Sequence, residues 1–252
     1  MTEKQAALIT GGAIRVGLHF AKTLAAQGYD IAIHYNSSTQ QAKEAVAAIS
    51  ALGVQCKAYA FDFLAAGDPS GLISQVARDF PHLSVLVNGA SIYNAAPIAE
   101  TSWEMLESEF RVNFFAPYML CGAFAREVSA GNIINILDNK IAFQQYQYGA
   151  YLSSKKALAE LTRMAAMEFA PRIRVNGIAP GVIMPGVTRS DDYIAWRAQG
   201  IPLKRQGSAD ELSKALLYIL DNEYITGQHL FVDGGESLFH IGQNAEVYEP
   251  PQ

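Results

Sequence analysis

From Ala6 to Val232 the chain repeats one unit, a short run of Val, Ile, Leu or Ala followed by a longer stretch with helical spacing. Strands are predicted at 6–10, 31–35, 54–61, 85–88, 132–137, 173–176 and 229–232. Helices are predicted at 16–27, 39–52, 69–80, 102–128 (one or two), 151–169 and 209–220. The strand runs are apolar throughout instead of alternating with polar residues. A strand of that kind buries both faces, so helices must cover the sheet on both sides, which is the arrangement of a parallel α/β fold. No repeat, low-complexity stretch or linker interrupts the pattern, and residues 1–252 read as one domain. Two segments stand outside it. The loop 182–200 carries Tyr193 and Trp196 and is expected to close over a substrate, and a tail at 236–252 ends in Pro-Pro-Gln.

Composition narrows the function classes. Hydrophobic residues make up 50% and charged residues 17%, which excludes a disordered chain. The net charge of −5, with a pI near 5.5, argues against a broad basic face for nucleic acid. Cys56 and Cys121 both lie in apolar segments and read as buried thiols of a reducing compartment. Neither has metal-ligand spacing, the five His are scattered, and no metal is expected. The longest nearly uncharged stretch, 113–125, falls short of the about 20 residues that a membrane span requires. With Glu3 and Lys4 at the start and no signal-peptide pattern, a soluble cytoplasmic protein is expected.

Strand one runs into Thr10-Gly11-Gly12-Ala13-Ile14-Arg15-Val16-Gly17 and then a helix. Glycines in such a turn let the backbone approach a pyrophosphate held at the helix N-terminus. Gly11, Arg15 and Val16 are therefore candidate cofactor contacts, although the strict GxGxxG spacing is absent and Arg15 could equally be a solvated cation of the first helical turn. Strand two ends in His34-Tyr35-Asn36-Ser37-Ser38. An acidic residue there would accept from the 2′-hydroxyl of NAD. Asn36, Ser37 and Ser38 instead supply donors that suit the 2′-phosphate of NADP(H), while either serine could also cap the next helix. Asp62 after strand three could hold the adenine amino group or merely lie in a surface loop, and Phe63 beside it is a further candidate contact.

Tyr151 and Lys155 stand four apart on one face of a predicted helix, after strand five, at the carboxyl edge where such sheets bind ligands. A free phenol with a pKa of about 10 exchanges its proton poorly at neutral pH. A neighbouring ammonium, aided by a positively charged nicotinamide, is expected to stabilise the phenolate and lower that value. Asp138 closes strand five, and Asn113 sits in an apolar helix where a buried amide needs partners.

Taken together, the Thr10–Gly17 turn, Asn88-Gly89-Ala90-Ser91 after strand four, Asn113, Tyr151-x-x-x-Lys155, Asn176 with Pro180-Gly181, and Val232-Asp233-Gly234-Gly235 resemble the short-chain dehydrogenase/reductase family over nearly the whole chain. The resemblance implies a Rossmann-type, doubly wound parallel sheet of seven strands. It also implies Tyr151 as proton donor, Lys155 on the nicotinamide ribose, and Asn113 holding a water in a proton relay. Asn88, Ala90, Ser91, Pro180, Gly181 and Val182 would line the cofactor. Three departures point within the family. Arg15 replaces the middle glycine of the turn, Asp138 takes the seat of a Ser, and Asn-Gly-Ala-Ser with Tyr93 two residues on replaces Asn-Asn-Ala-Gly. These features resemble the pteridine reductases and the bacterial dihydromonapterin/dihydrofolate reductases.

An ionised carboxylate repels a nascent alkoxide but can accept from ring N–H groups, so Asp138 suits reduction of a C=N bond better than of a ketone. Tyr93 offers a flat face to a pterin, and Arg15 and Ser91 are further candidate substrate contacts. The expected activity is NADPH-dependent reduction of a dihydropterin or dihydrofolate. The rival within the family is a 3-oxoacyl or other small-carbonyl reductase, and outside catalysis a non-catalytic NADP(H)-sensing protein. Helices 102–128 and 151–169 look apolar around much of their circumference, so a homo-oligomer is expected, with a tetramer implied by the resemblance.

Overall fold

Seven parallel strands form one sheet in the order β3-β2-β1-β4-β5-β6-β7 in a computed structural model that describes residues 4–65, 67–184 and 190–238. The strands are β1 (Ala6–Thr10), β2 (Asp30–Tyr35), β3 (Cys56–Ala60), β4 (Leu83–Asn88), β5 (Gly131–Ile136), β6 (Ile173–Pro180) and β7 (His229–Val232). All five residues of β1 are buried, as its uninterrupted apolar run requires. One core layer packs beneath α3 (Ser70–Asp79), α5 (Ala116–Glu127) and α6 (Gly149–Phe169). The other packs beneath α1 (Arg15–Ala26), α2 (Thr39–Ser50) and α8 (Ala209–Asp221). Strand order reverses between β1 and β4, so the loops at their carboxyl ends diverge and leave a crevice, the usual ligand position of an open α/β sheet. Among the described residues no helix is long and apolar enough to cross a membrane.

Several elements differ from expectation. The single stretch 102–128 is α4 (Trp103–Phe110), a π-turn (Arg111–Phe115) and α5 in continuous succession. The interruption has a local cause: Pro117 carries no N–H to offer the Asn113 carbonyl four residues back. Strand six extends to Pro180 because Gly177 to Pro180 pair with β7. The loop 182–200 contains a helix, α7 (Asp191–Gln199), whose N-terminus is capped by Ser190 Oγ accepting from the Tyr193 N–H at 3.2 Å. Asp191 and Asp192 in its first turn complement the helix dipole. Residues 185–189 of that loop and the tail beyond 238 lie outside the described residues. Cys121 is buried as expected, but Cys56 is only partly so.

Two glycine-turn contacts hold the crevice open at its β1 side. Helix α1 presses so closely on the turn that a Cβ at Gly17 would lie 2.2 Å from the Gly11 carbonyl oxygen. His34, buried at the end of β2, accepts from the Gly11 N–H at Nδ1 (3.2 Å). Its Nε2 therefore carries the hydrogen and donates to the Phe61 carbonyl at 2.9 Å. The ring stacks on Phe63 with centroids 4.3 Å apart, and burial pushes its pKa down to about 4.

Gly17→Ala should lower unfolding stability by about 2–3 kcal/mol in denaturant titration, because the methyl meets backbone and cannot be accommodated by a rotamer change. Gly71→Ala in α3, where the added carbon meets nothing within 4 Å, should instead stabilise by up to about 1 kcal/mol. His34 generates a pH dependence of known sign. Between its ordinary value of 6.5 and about 4, the unfolded chain binds a proton that the folded chain does not. Stability should fall across that window as pH drops, by up to about 3 kcal/mol. A His34→Gln variant should show a flatter profile over the same range, and an unchanged slope would contradict the assignment.

Candidate active site

The carboxyl ends of β1, β2 and β4 build one half of the crevice. Gly11 takes φ +67°, and Arg15 takes φ +51°, a left-handed conformation that suits the glycine it replaces better than a side chain with a Cβ. The exposed Arg15 guanidinium donates to the Met184 carbonyl, so it bridges the first turn to the start of the loop after β6. Val16 is half-buried and packs its side chain into the core beneath. Thr10 Oγ1 accepts from the N–H groups of Gly89 (3.0 Å) and Ala90 (3.1 Å), tying the end of β1 to the loop after β4. At Gly89 a Cβ would stand 2.9 Å from the Thr10 carbonyl oxygen, which accounts for glycine at this departure from the family pattern. Asn88 is buried, donates to Asn135 Oδ1 at 2.8 Å, and leaves its own Oδ1 without a partner among the described residues.

At the end of β2, Asn36 donates to Asp62 Oδ1 at 3.1 Å, and the same oxygen accepts from the Leu64 N–H at 2.9 Å. Asp62 is thus an exposed loop residue already engaged on one oxygen. Ser38 occupies the position before α2 without closing a side-chain cap, so capping does not account for it. Ser37 lies exposed beside it. Phe63, expected at the cofactor, turns its buried ring against His34. Pro180 ends β6, and Gly181 and Val182 follow it. A Cβ at Gly181 would come within 2.7 Å of Asp233 Cα, and the Val182 carbonyl accepts from the Gly207 N–H.

The other half of the crevice carries the titratable groups. β5 ends at Ile136, so Asp138 stands two residues beyond it and caps a short 3-10 turn, Oδ1 accepting from the Lys140 N–H at 2.8 Å. Its Oδ2 accepts from the Tyr151 hydroxyl at 2.7 Å. Tyr151 is the third residue of α6 and is buried. Lys155, one turn on, is buried and donates to the Ile136 carbonyl at 2.8 Å, with its Nζ 5.9 Å from the Tyr151 ring centroid. The surrounding protein groups act on Tyr151 in the direction opposite to a neighbouring ammonium. Burial, and then the Asp138 carboxylate, raise the Tyr151 pKa well above the usual tyrosine range, so this residue is a phenol and not a readily formed phenolate. Lys155 is the group held low, pushed down to about 8 by burial against the opposing pull of Asp138 and Glu109.

Tyr93 is 45% exposed and meets Tyr151 edge-on at 4.6 Å and 90°. One of its faces is stacked on Tyr148, at 4.4 Å and 14°. Asn113 is buried, and its amide is filled by protein groups. Nδ2 donates to the Ile92 carbonyl, Glu109 Oε2 and Ser154 Oγ, while Oδ1 accepts from Ser91 Oγ and the Ile92 N–H. Its side chain therefore locks the Tyr93 loop to α6. Pro117, four residues on, has no N–H to give the Asn113 backbone carbonyl. Ser91 is spent largely on that lock. Glu109, buried and accepting from Asn94 N–H and side chain at 2.8 and 2.9 Å, completes the cluster, and burial raises its pKa.

Sequence reasoning did not single out Thr10, His34, Glu109, Tyr148 or Lys140 as site residues. The Glu109–Asn113 spacing of one helical turn was a readable signal, whereas the Thr10 and His34 contacts depend on pairings between distant strands. Loop 182–200 could not be placed either. Its helix α7 is anchored by a buried pair, Arg197 to Glu236 Oε1 at 2.6 Å, and Glu236 Oε2 accepts from Asn139 at 2.9 Å, next to Asp138. Among the described residues no cluster of His, Cys, Asp or Glu could hold a metal.

Comparison with known proteins agrees with this geometry. Residues 12–237 match the family described as Enoyl-(Acyl carrier protein) reductase. The chain is 30% identical over 240 residues to the 3-oxoacyl-[acyl-carrier-protein] reductase FabG of Staphylococcus epidermidis, covering 92% of this chain and 98% of that protein. It is 31% identical over 281 residues to pteridine reductase 1 of Leishmania tarentolae, covering 92% and 96%. Among solved structures, FolM alternative dihydrofolate reductase 1 from Brucella suis in complex with NADP superposes with a TM-score of 0.90 at 29% identity, covering 98% of this chain and all of that one. The glycine turn, the seven-stranded parallel sheet and the Tyr151/Lys155 pair are thus those of a reductase, and the chain belongs to the short-chain dehydrogenase/reductase family.

Proposed function

We propose that the protein is an NADPH-dependent reductase of a dihydropterin or dihydrofolate, and the observation that carries this reading is the 2.7 Å hydrogen bond from Tyr151 to Asp138. Identity does not separate the candidate substrates, since an oxoacyl reductase and a pteridine reductase are equally similar. The carboxylate at position 138 supports the pterin over the oxoacyl substrate. A carbonyl oxygen that becomes an alkoxide would develop its charge beside a carboxylate. When an imine carbon gains a hydride, its nitrogen takes the bond's electron pair and needs a proton, and the phenol–carboxylate pair holds one.

The first turn fits a dinucleotide, because a Cβ at Gly11 would reach within 3.1 Å of Ala90 and narrow the cleft between the two loops. The NADP complexes of the FolM structures support the same cofactor here. Gly11, Arg15 and Val16 would hold its pyrophosphate and Asn36, Ser37 and Ser38 its 2′-phosphate, with Asp62 and the backbone at Phe63 beside the adenine. Asn88, Ala90, Ser91, Pro180, Gly181 and Val182 would line the nicotinamide half, and Lys155 would reach the ribose. Bound there, NADPH supplies the hydride.

The protein's own groups then handle the proton. Tyr151 keeps its hydrogen at neutral pH and gives it to the substrate nitrogen. Loss of that proton leaves two anions side by side, and the buried Lys155 ammonium offsets the added charge. Asn113 would hold a water that reloads the pair. Tyr93, with Tyr148 behind it, would cover the ring, and Arg15 would serve both phosphate and substrate. The exposed aromatic and methionine side chains Phe115, Tyr118, Met164 and Met167 on the π-turn, α5 and α6 support self-association through those helices.

Asp138→Ser should reduce kcat/KM for dihydrobiopterin by about 100-fold while leaving the NADPH Kd within about twofold. Undiminished pterin turnover, or a wild-type preference for an acetoacetyl thioester over both pterins, would overturn the reading. The Lys155 value sets a second outcome. Because the protonated form is the working one, kcat/KM for NADPH should fall as pH rises through about 8. A profile flat well into the alkaline range would contradict the role given to Lys155.

A further inference from the structure

The 3-10 turn that carries Asp138 also carries a cation. Lys140 gives its backbone N–H to Asp138 Oδ1 at 2.8 Å, so one short turn presents both a carboxylate and an ammonium to the crevice. The Lys140 Nζ lies 3.3 Å from the Tyr93 hydroxyl, 5.7 Å from the Tyr93 ring centroid and 5.2 Å from that of Tyr148. The rings of the stacked pair attract this ammonium. It stands at the hydroxyl end of Tyr93, whereas Tyr151 meets the same ring edge-on with its own hydroxyl on Asp138. A flat substrate that reacts at Tyr151 and lies along Tyr93 carries its substituent toward Lys140.

The charge balance makes that position selective. The reacting pair contains a carboxylate, so an ammonium on the same turn offsets the repulsion that an anionic substrate meets there. We propose that Lys140 is a specificity-determining residue that binds a carboxylate on the substrate's tail, so that the preferred substrate is a dihydropterin with an acidic tail, as in dihydrofolate, over one with a neutral polyol side chain. This inference rests on the pterin reading given above. Charge-assisted hydrogen bonding from an ammonium gains more from a carboxylate than from a hydroxyl, and at a half-exposed site it is weakened by salt.

The test compares dihydrofolate with dihydrobiopterin as substrates at saturating NADPH. Lys140→Gln should lower the ratio of their kcat/KM values about tenfold, through the KM for dihydrofolate, and Lys140→Arg should restore most of it. Independently of any variant, raising salt from about 50 to about 500 mM should increase the wild-type KM for dihydrofolate several-fold and that for dihydrobiopterin by less than about twofold. An unchanged ratio in Lys140→Gln, or equal salt dependence of the two substrates, would overturn the tail-binding role while the pterin reading stood. A wild-type protein that reduces neither substrate would overturn the pterin reading itself, and this proposal with it.

Discussion

A phenol buried against a carboxylate is the constraint around which the site is organised. Tyr151 and Asp138 come from different elements, α6 and the turn after β5, and meet at 2.7 Å in a place where burial disfavours a second negative charge. One proton shared by two oxygens is the stable arrangement there. Most of the surrounding structure serves to hold that arrangement. The 3-10 turn caps itself on Asp138, Lys155 is tied to the Ile136 carbonyl directly upstream, and the Arg197–Glu236–Asn139 cluster fixes the far side of the same turn.

The other substrate wall depends on Asn113. Five hydrogen bonds from one buried amide join the π-turn, the loop of Ser91 and Ile92, and Ser154 one turn along from Tyr151. Truncating it would therefore move Tyr93 as well as the relay. The π-turn follows from Pro117, so a single ring in the sequence both breaks the helical ladder and frees the Asn113 carbonyl. Coupling of this kind accounts for a buried amide in so apolar a helix.

The fold was readable because each strand is apolar on both faces and each helix follows it at a short distance. Six of the seven strands needed only small shifts of their ends; β6 ran longer because its second half pairs with β7, a contact of high sequence separation. The Tyr151, Lys155, Asp138 and Asn113 set was legible from spacing and resemblance together, and those residues do converge. What escaped was the division of labour among them. Burial and Asp138 both raise the Tyr151 pKa, an influence that spacing does not reveal, since neither depth nor a carboxylate two residues past a strand end can be measured from it. Thr10, His34 and Lys140 were invisible for the same reason, because each acts through a partner from another strand or loop.

The most direct measurement is the ionisation of Tyr151 itself, followed by NMR of ring-labelled tyrosine with Tyr151→Phe to identify the signal. The account predicts that this phenol stays protonated past pH 10, the ordinary tyrosine value, and that its titration moves down when Asp138 is replaced by Asn. A Tyr151 signal that titrates near neutral pH in the wild-type protein would show a phenolate tuned by Lys155 alone, and would contradict the shared-proton pair.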